Sequence, residues 1–156
     1  MYNSLDIANE FMKLAKQEGY PIQPMKLLKL TYIAHGWYLG FNGKPLISDT
    51  VQAWKYGPVI PILYGIIKRF GSGNVDPMTI ELYKEKDLKK DDAEFVKLIW
   101  NNYKNYSGLE LSSKTHMPKT PWSIVFDGEP NKPIPNELIE NYYKEIINER
   151  RPAKQS

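Results

Sequence analysis

Two histidines, His35 and His116, are the chain's whole supply of imidazole for metal ligation or general-base catalysis. His35 sits among Tyr32, Gly36 and Trp37 on a helix that reads as apolar over most of its circumference, so a hydrogen-bonded core histidine is its expected role. His116 precedes a proline-bearing turn and Trp122, and its expected role is to tie a helix end to that turn. A metal held by both would need carboxylates at the same place, and no H-E-x-x-H or similar spacing supplies them. Cysteine is absent, which removes disulfides, thiol nucleophiles and thiolate zinc sites. Serine has no G-x-S-x-G elbow, and Ser72 follows a helix rather than a strand. Gly71-Ser72-Gly73 lacks the further glycines or the Lys-Ser/Thr pair of a phosphate cradle. Asp91 and Asp92 are adjacent, so on a helix they point in different directions and cap better than they catalyse. The expectation is no catalytic residue, no metal and no cofactor.

The elements that position these side chains come from a chain of 156 residues, 42% hydrophobic and 25% charged, close to soluble globular averages. Folding such a chain buries roughly two-thirds of its surface, enough for one core without staples. Asp6, Glu10, Lys13, Lys16 and Glu18 interrupt the first twenty residues, which a secretory leader would not tolerate. No apolar run approaches the roughly 20 residues of a membrane span, so a cytoplasmic protein is expected. The net charge of +3 is too small to mark a nucleic-acid footprint. Eleven tyrosines and four tryptophans, large apolar bodies with polar tips, suit an interface as well as a core.

Ser4 reads as the N-cap of a first helix, with Ala8, Phe11, Met12 and Ala15 on one face and Gly19 as its stop. Pro24 opens a second helix running to about Leu39, apolar nearly all round and therefore central, with Lys26 and Lys29 left for water. Asn42-Gly43 predicts a tight turn between Phe41 and Lys44. Ser48 to Tyr56 reads as a strand broken by Gly57-Pro58, and Met78 to Tyr83, alternating in polarity, as a second strand pairing with the Val51 segment. Pro61 opens a helix that buries Ile62, Ile66, Ile67 and Phe70. Another starts near Asp91 and buries Phe95, Leu98, Ile99 and Tyr106, with Ser107-Gly108 as its end. Leu109, Leu111 and His116 share a short helix, Thr120-Pro121-Trp122 starts the next, residues 128–135 are a loop, and Pro135 begins the last. The expected fold is mainly α (α+β): six or seven helices with a small two- or three-stranded antiparallel sheet. It forms one domain over residues 1–149, with a mobile tail over 150–156.

Three blocks carry a resemblance. They are the run from Met25 through Lys29, Tyr32 and His35 to Tyr38, then Gly43-Lys44-Pro45-Leu46, then Ala53-Trp54-Lys55-Tyr56-Gly57-Pro58-Val59. Leu111, Thr115-His116 and Pro121-Trp122 extend it. Together they resemble the Panacea domain, the SocA-like antitoxin or phage-associated GepA-like family, from about Leu5 to Ile147. The resemblance implies a mostly helical cytosolic domain without catalytic activity, which neutralises a toxin encoded beside it by direct contact. In one branch it also implies delivery of the partner to a protease.

Trp54, Tyr56, Gly57, Pro58, His116 and Trp122 are the candidate partner-binding residues. A Gly-Pro turn holds neighbouring rings with little conformational entropy left to lose, and Trp and Tyr are favoured at interface hot spots. Core packing is the competing role for Trp54. The preferred reading is an antitoxin-like module binding a protein toxin. The alternative is a phage or mobile-element adaptor or inhibitor that binds a host protein or feeds a cellular protease. A nucleic-acid binder using Lys84 to Lys90 and Arg150-Arg151 ranks third and an uncharacterised enzyme fourth. A homo-oligomer is compatible with this sequence.

Overall fold

The structure is a computed structural model, and it describes residues 1–150; the rest of the expected tail, from residue 151, lies outside the described residues. Its first helix, α1 (Ser4–Glu18), is capped one residue earlier than expected. The Asn3 side chain accepts from the Asp6 amide and the Asp6 carboxylate accepts from the Asn3 amide, a capping box. Gly19, at φ 73°, closes the helix as a left-handed C-cap. The same Asp6, 1% exposed, also accepts from the amides of Glu85 at 2.7 Å and Lys86 at 2.9 Å, so one buried carboxylate holds a helix start and a loop some 80 residues away. Asp6→Ala leaves three part-buried N–H groups without this acceptor and is expected to cost about 2 kcal/mol in urea unfolding, with Asp6→Asn losing less.

α2 (Pro24–Asn42) is the central element, with Pro24 at its first turn and burial on every face. It runs one turn beyond the expected end. Asn42-Gly43 forms no hairpin: Gly43, at φ 68°, is the left-handed cap of α2. The positive φ that suits a tight turn suits a helix terminus equally well. Lys26 and Lys29, expected in water, are 9% and 2% exposed, because α1 and five further elements cover this helix.

Next come β1 (Gln52–Trp54) and β2 (Gly57–Val59), antiparallel partners joined by Lys55-Tyr56. Gly57-Pro58 therefore does not break a strand but begins the second one. Pro58 is tolerated because β2 lies at the sheet edge in the order β2-β1-β3. α3 (Pro61–Ile67) follows with a 3₁₀ turn over Lys68–Phe70, burying Leu63 and Ile67 while Ile62 is 56% exposed. Residues 78–83, expected as a strand, lie in α4 (Pro77–Tyr83), capped by the Asp76 side chain on the Met78 amide and docked on α1. α5 (Lys90–Tyr103) buries Val96, Ile99 and Trp100, and leaves Leu98 55% exposed. Ser107 starts rather than ends a helix, capping α6 (Gly108–Thr115) with Glu110 as the box partner. α7 (Pro121–Val125) has Thr120 as its cap, as expected. β3 (Lys132–Pro133) pairs with β1 inside the expected loop, and α8 (Asn136–Arg150) closes the described chain.

Mainly α with a small antiparallel sheet is what the structure shows, with eight α-helices among the described residues because α4 joins the expected set. α2 packs against α1, α5, α6 and α8, and no helix among the described residues is long and apolar enough to cross a membrane.

Candidate functional site

The β1–β2 hairpin packs through β2 on α2 and α6. Its register pairs Trp54 with Gly57, so Lys55 and Tyr56 form the tip. Gly57 has φ 116°, a conformation closed to ordinary side chains. A Cβ there would also lie 3.0 Å from Lys29 Nζ, 3.4 Å from Thr115 Oγ1 and 3.6 Å from His116 Nδ1. Glycine is required twice over, by backbone angle and by close approach.

Three hydrogen bonds fix the hairpin from three elements. Lys29 Nζ, on α2, donates to the Pro58 carbonyl at 2.8 Å. Ser112 Oγ, on α6, donates to the Tyr56 carbonyl at 2.7 Å. Trp122 Nε1, on α7, donates to the Trp54 carbonyl at 2.6 Å. Side-chain donors thereby hold one carbonyl on each of the two strands and one at the tip. The Trp122 ring lies between His116, edge-on at 5.4 Å, and Phe126, stacked at 4.6 Å. Trp54 packs edge-on against Tyr64 at 5.1 Å, and its indole N–H donates to Gln52 Oε1.

All six candidate residues thus fall in one cluster, with divided roles. Gly57 and Pro58 are buried scaffold, and Trp54, His116 and Trp122 are half-buried and packed on one another or on the hairpin. Tyr56 alone presents its ring outward, at 63% exposure, with Lys55 Nζ 5.5 Å from the ring centre. Beside it opens a cleft of about 460 Å³ bordered by Met25, Leu28, Trp54, Tyr56, Tyr64 and Lys68.

Lys29 and Ser112 complete the cluster and were not among the expected residues. The available signal for Lys29 is that a helix apolar on all sides has no face to offer water, so a lysine on it must reach a buried acceptor. Burial without a compensating carboxylate brings its ammonium down to about 7. His35 takes the expected core role. The Ile47 amide donates to its Nδ1 at 3.4 Å, which leaves Nε2 to donate to Asn136 Oδ1 at 3.0 Å. Burial holds its pKa below the ordinary value, so the neutral ring pins the start of α8 and the Leu46–Ser48 segment to α2.

Chemically the cluster is closed on itself. Ser112 gives its proton to a backbone carbonyl and stands 3.5 Å from His116 Nδ1, too far for an activated hydroxyl, and no carboxylate orients His116 among the described residues. The same residues contain no group of three or more His, Cys, Asp or Glu placed to hold a metal. What the arrangement presents to solvent is the Tyr56 ring at the tip of a hairpin held by three side-chain anchors.

The chain belongs to the family described as Antitoxin SocA-like, Panacea domain, whose sequence model matches residues 27–123, a segment that contains the hairpin and every side chain that anchors it. It is also similar to Antitoxin SocA of Caulobacter vibrioides (strain NA1000 / CB15N), 28% identical over 134 residues that cover 78% of this chain and 69% of that protein. No solved structure gives a match.

Proposed function

We propose that this protein is the antitoxin of a toxin–antitoxin pair and blocks a protein toxin stoichiometrically, by contact through the hairpin tip and without covalent chemistry. The observation that carries the reading is that the family match coincides with the elements that lock this hairpin in place. The Caulobacter relative is likewise named an antitoxin. A tip held by three polar anchors loses little freedom on binding, so contact energy is not spent on ordering it.

Co-expression with the reading frame beside this gene tests the reading. The parent is expected to restore growth to cells making that product and to co-purify with it. Tyr56→Ala removes an exposed ring that no fold contact needs, so its thermal midpoint should match the parent while affinity falls by about tenfold or more. Trp122→Ala is a poorer probe, since it also strips the Trp54 carbonyl of its donor. Growth arrest unrelieved by the parent would overturn the antitoxin reading, and unchanged affinity in folded Tyr56→Ala would remove the hairpin tip from the interface.

A further inference from the structure

The turn that braces the hairpin, residues 115–121, also forms one wall of a groove of about 700 Å³ between α2, α5, α6 and α8. That volume is in the range of ligand-binding cavities, roughly 300–1,000 Å³. Three large apolar side chains stand at its mouth from three different elements: Phe41 at 58% exposure, Leu98 at 55% and Met117 at 55%. Isolated exposed apolar residues are ordinary, but a group converging on one concavity marks a contact surface.

The polar groups of the groove share one character. Among the described residues two charged side chains line it, and both are cations: Lys114, whose ammonium lies 4.7 Å from the Tyr106 ring centre, and Arg150, 5.5 Å from that of Trp37. Tyr32 in the wall is 1% exposed, and among the described residues its hydroxyl has no hydrogen-bond partner. The Tyr103 hydroxyl accepts from Trp37 Nε1 at 2.8 Å, so its own proton remains to be given. The groove is therefore an apolar trough with surplus donors and positive charge, and its complement is an apolar segment carrying acceptors and negative charge. The sequence after Arg150, Arg-Pro-Ala-Lys-Gln-Ser, has the wrong sign of charge and no large apolar side chain to fill it.

We propose that this groove docks an amphipathic helix of the protein partner, with its large apolar side chains seated among Phe41, Leu98 and Met117 and acidic residues at its flanks paired with Lys114 and Arg150. The inference rests on the antitoxin reading for the partner's identity, and adds a second contact on the far wall of the turn that braces the hairpin. Helix-in-groove recognition takes its affinity from the apolar face and its selectivity and association rate from the flanking charge.

Leu98→Glu and the double variant Lys114→Glu/Arg150→Glu alter exposed side chains, so both should fold like the parent. Each is expected to weaken binding of the neighbouring gene's product by about tenfold or more, with the parent's affinity falling steeply as salt is raised and that of the double variant much less so. Tyr32→Phe should retain or gain thermal stability while losing affinity by about threefold, a split that a purely structural role for the hydroxyl would not produce. If parent-like affinity persists in both groove variants while Tyr56→Ala weakens it, the groove inference falls and the antitoxin reading stands. If the parent binds no neighbouring product, that reading falls, and the groove is judged on a labelled model helix of about 15 residues with a Phe/Leu stripe and Glu on its other faces. Preference for it over the same helix with Lys for Glu, reversed in the double variant, sustains the groove; equal binding or none to either helix overturns it. Self-association of the parent abolished by Leu98→Glu, or a small molecule retained in the groove in native mass spectra, would also overturn it.

Discussion

Gly36→Ala should destabilise this protein by about 2–3 kcal/mol, although the same change at an ordinary helical glycine stabilises by roughly 1 kcal/mol. A Cβ on Gly36 would stand 2.1 Å from Tyr143 Cε2, 2.6 Å from Cζ and 2.7 Å from Cδ2. The ring that meets it is 5% exposed and wedged edge-on against Trp37 at 4.8 Å, so it has nowhere to swing. One turn later, a Cβ on Gly40 would lie 2.8 Å from Tyr143 Cβ and 3.2 Å from its carbonyl carbon, so α8 cannot slide along α2 to relieve the clash. The two glycines, four residues apart on one helix face, set how closely α2 and α8 approach. For a chain of this length the expected fall in thermal midpoint is roughly 5–10 °C. A double-mutant cycle separates this cause from others: with Tyr143 cut to Ala, the Gly36→Ala step should become neutral or stabilising. A midpoint that rises in the single variant would refute the account.

Local signals read true where one chemistry has one structural use. Pro24, Pro61 and Pro121 each open a helix because a missing N–H and a fixed φ suit the first turn, and Gly19 ends one because it alone takes positive φ without strain. They misled where one chemistry serves two structures. Asn42-Gly43 satisfies a hairpin turn and a helix cap alike, and the length of the apolar helix before it decides for the cap. Met78 to Tyr83 alternates in polarity, yet Asp76-Pro77 is a cap followed by a first-turn proline, and burial of Thr79 and Ile80 against α1 is a helical pattern. The alternation was too short to carry a period.

The six candidate residues were legible because their types are unusual, and the hairpin draws them into one cluster. Their division of labour was not, because exposure depends on which elements close over the strand. Leu98 shows the same limit from the other side. Its place beside Phe95 and Ile99 on the apolar face of α5 suggests burial, yet it is 55% exposed and lines the groove between α2, α5, α6 and α8. Lys29 lies at the opposite extreme, a charge assigned to water that the packing of every neighbour around α2 puts out of its reach.

That burial makes stability climb with pH over a range where most proteins are flat or declining. The Lys29 amine titrates at about 7 in the folded protein and at about 10.4 when the chain is unfolded. Between those values the unfolded state holds one more proton than the native state, so unfolding free energy rises with pH by up to about 1.4 kcal/mol per unit. The contribution is complete above the unfolded value and is lost as pH falls through the folded one. From pH 7 to pH 9.5 the expected gain is about 3 kcal/mol, and Lys26, also held down by burial, adds to it with the same sign. Further alkali reverses the trend. Burial and the hydrogen bond to Asp92 push the Tyr2 phenol up to about 12, and burial raises Tyr32 and Tyr143 as well, so these tyrosines stay protonated in the native state when the unfolded chain releases its protons. On the acid side, neutral His35 loses its advantage as pH falls below the ordinary histidine range. The maximum therefore lies above the usual range of about 5 to 8. Urea unfolding across this range checks it. Lys29→Met keeps the stem and discards the titration, so most of the slope above pH 7 should vanish. Lys29→Arg, which cannot shed its charge, should be the least stable of the three at pH 9.5. A parent that is flat across the window, or a Lys29→Met variant that keeps the full slope, would show that this amine is not the group responsible.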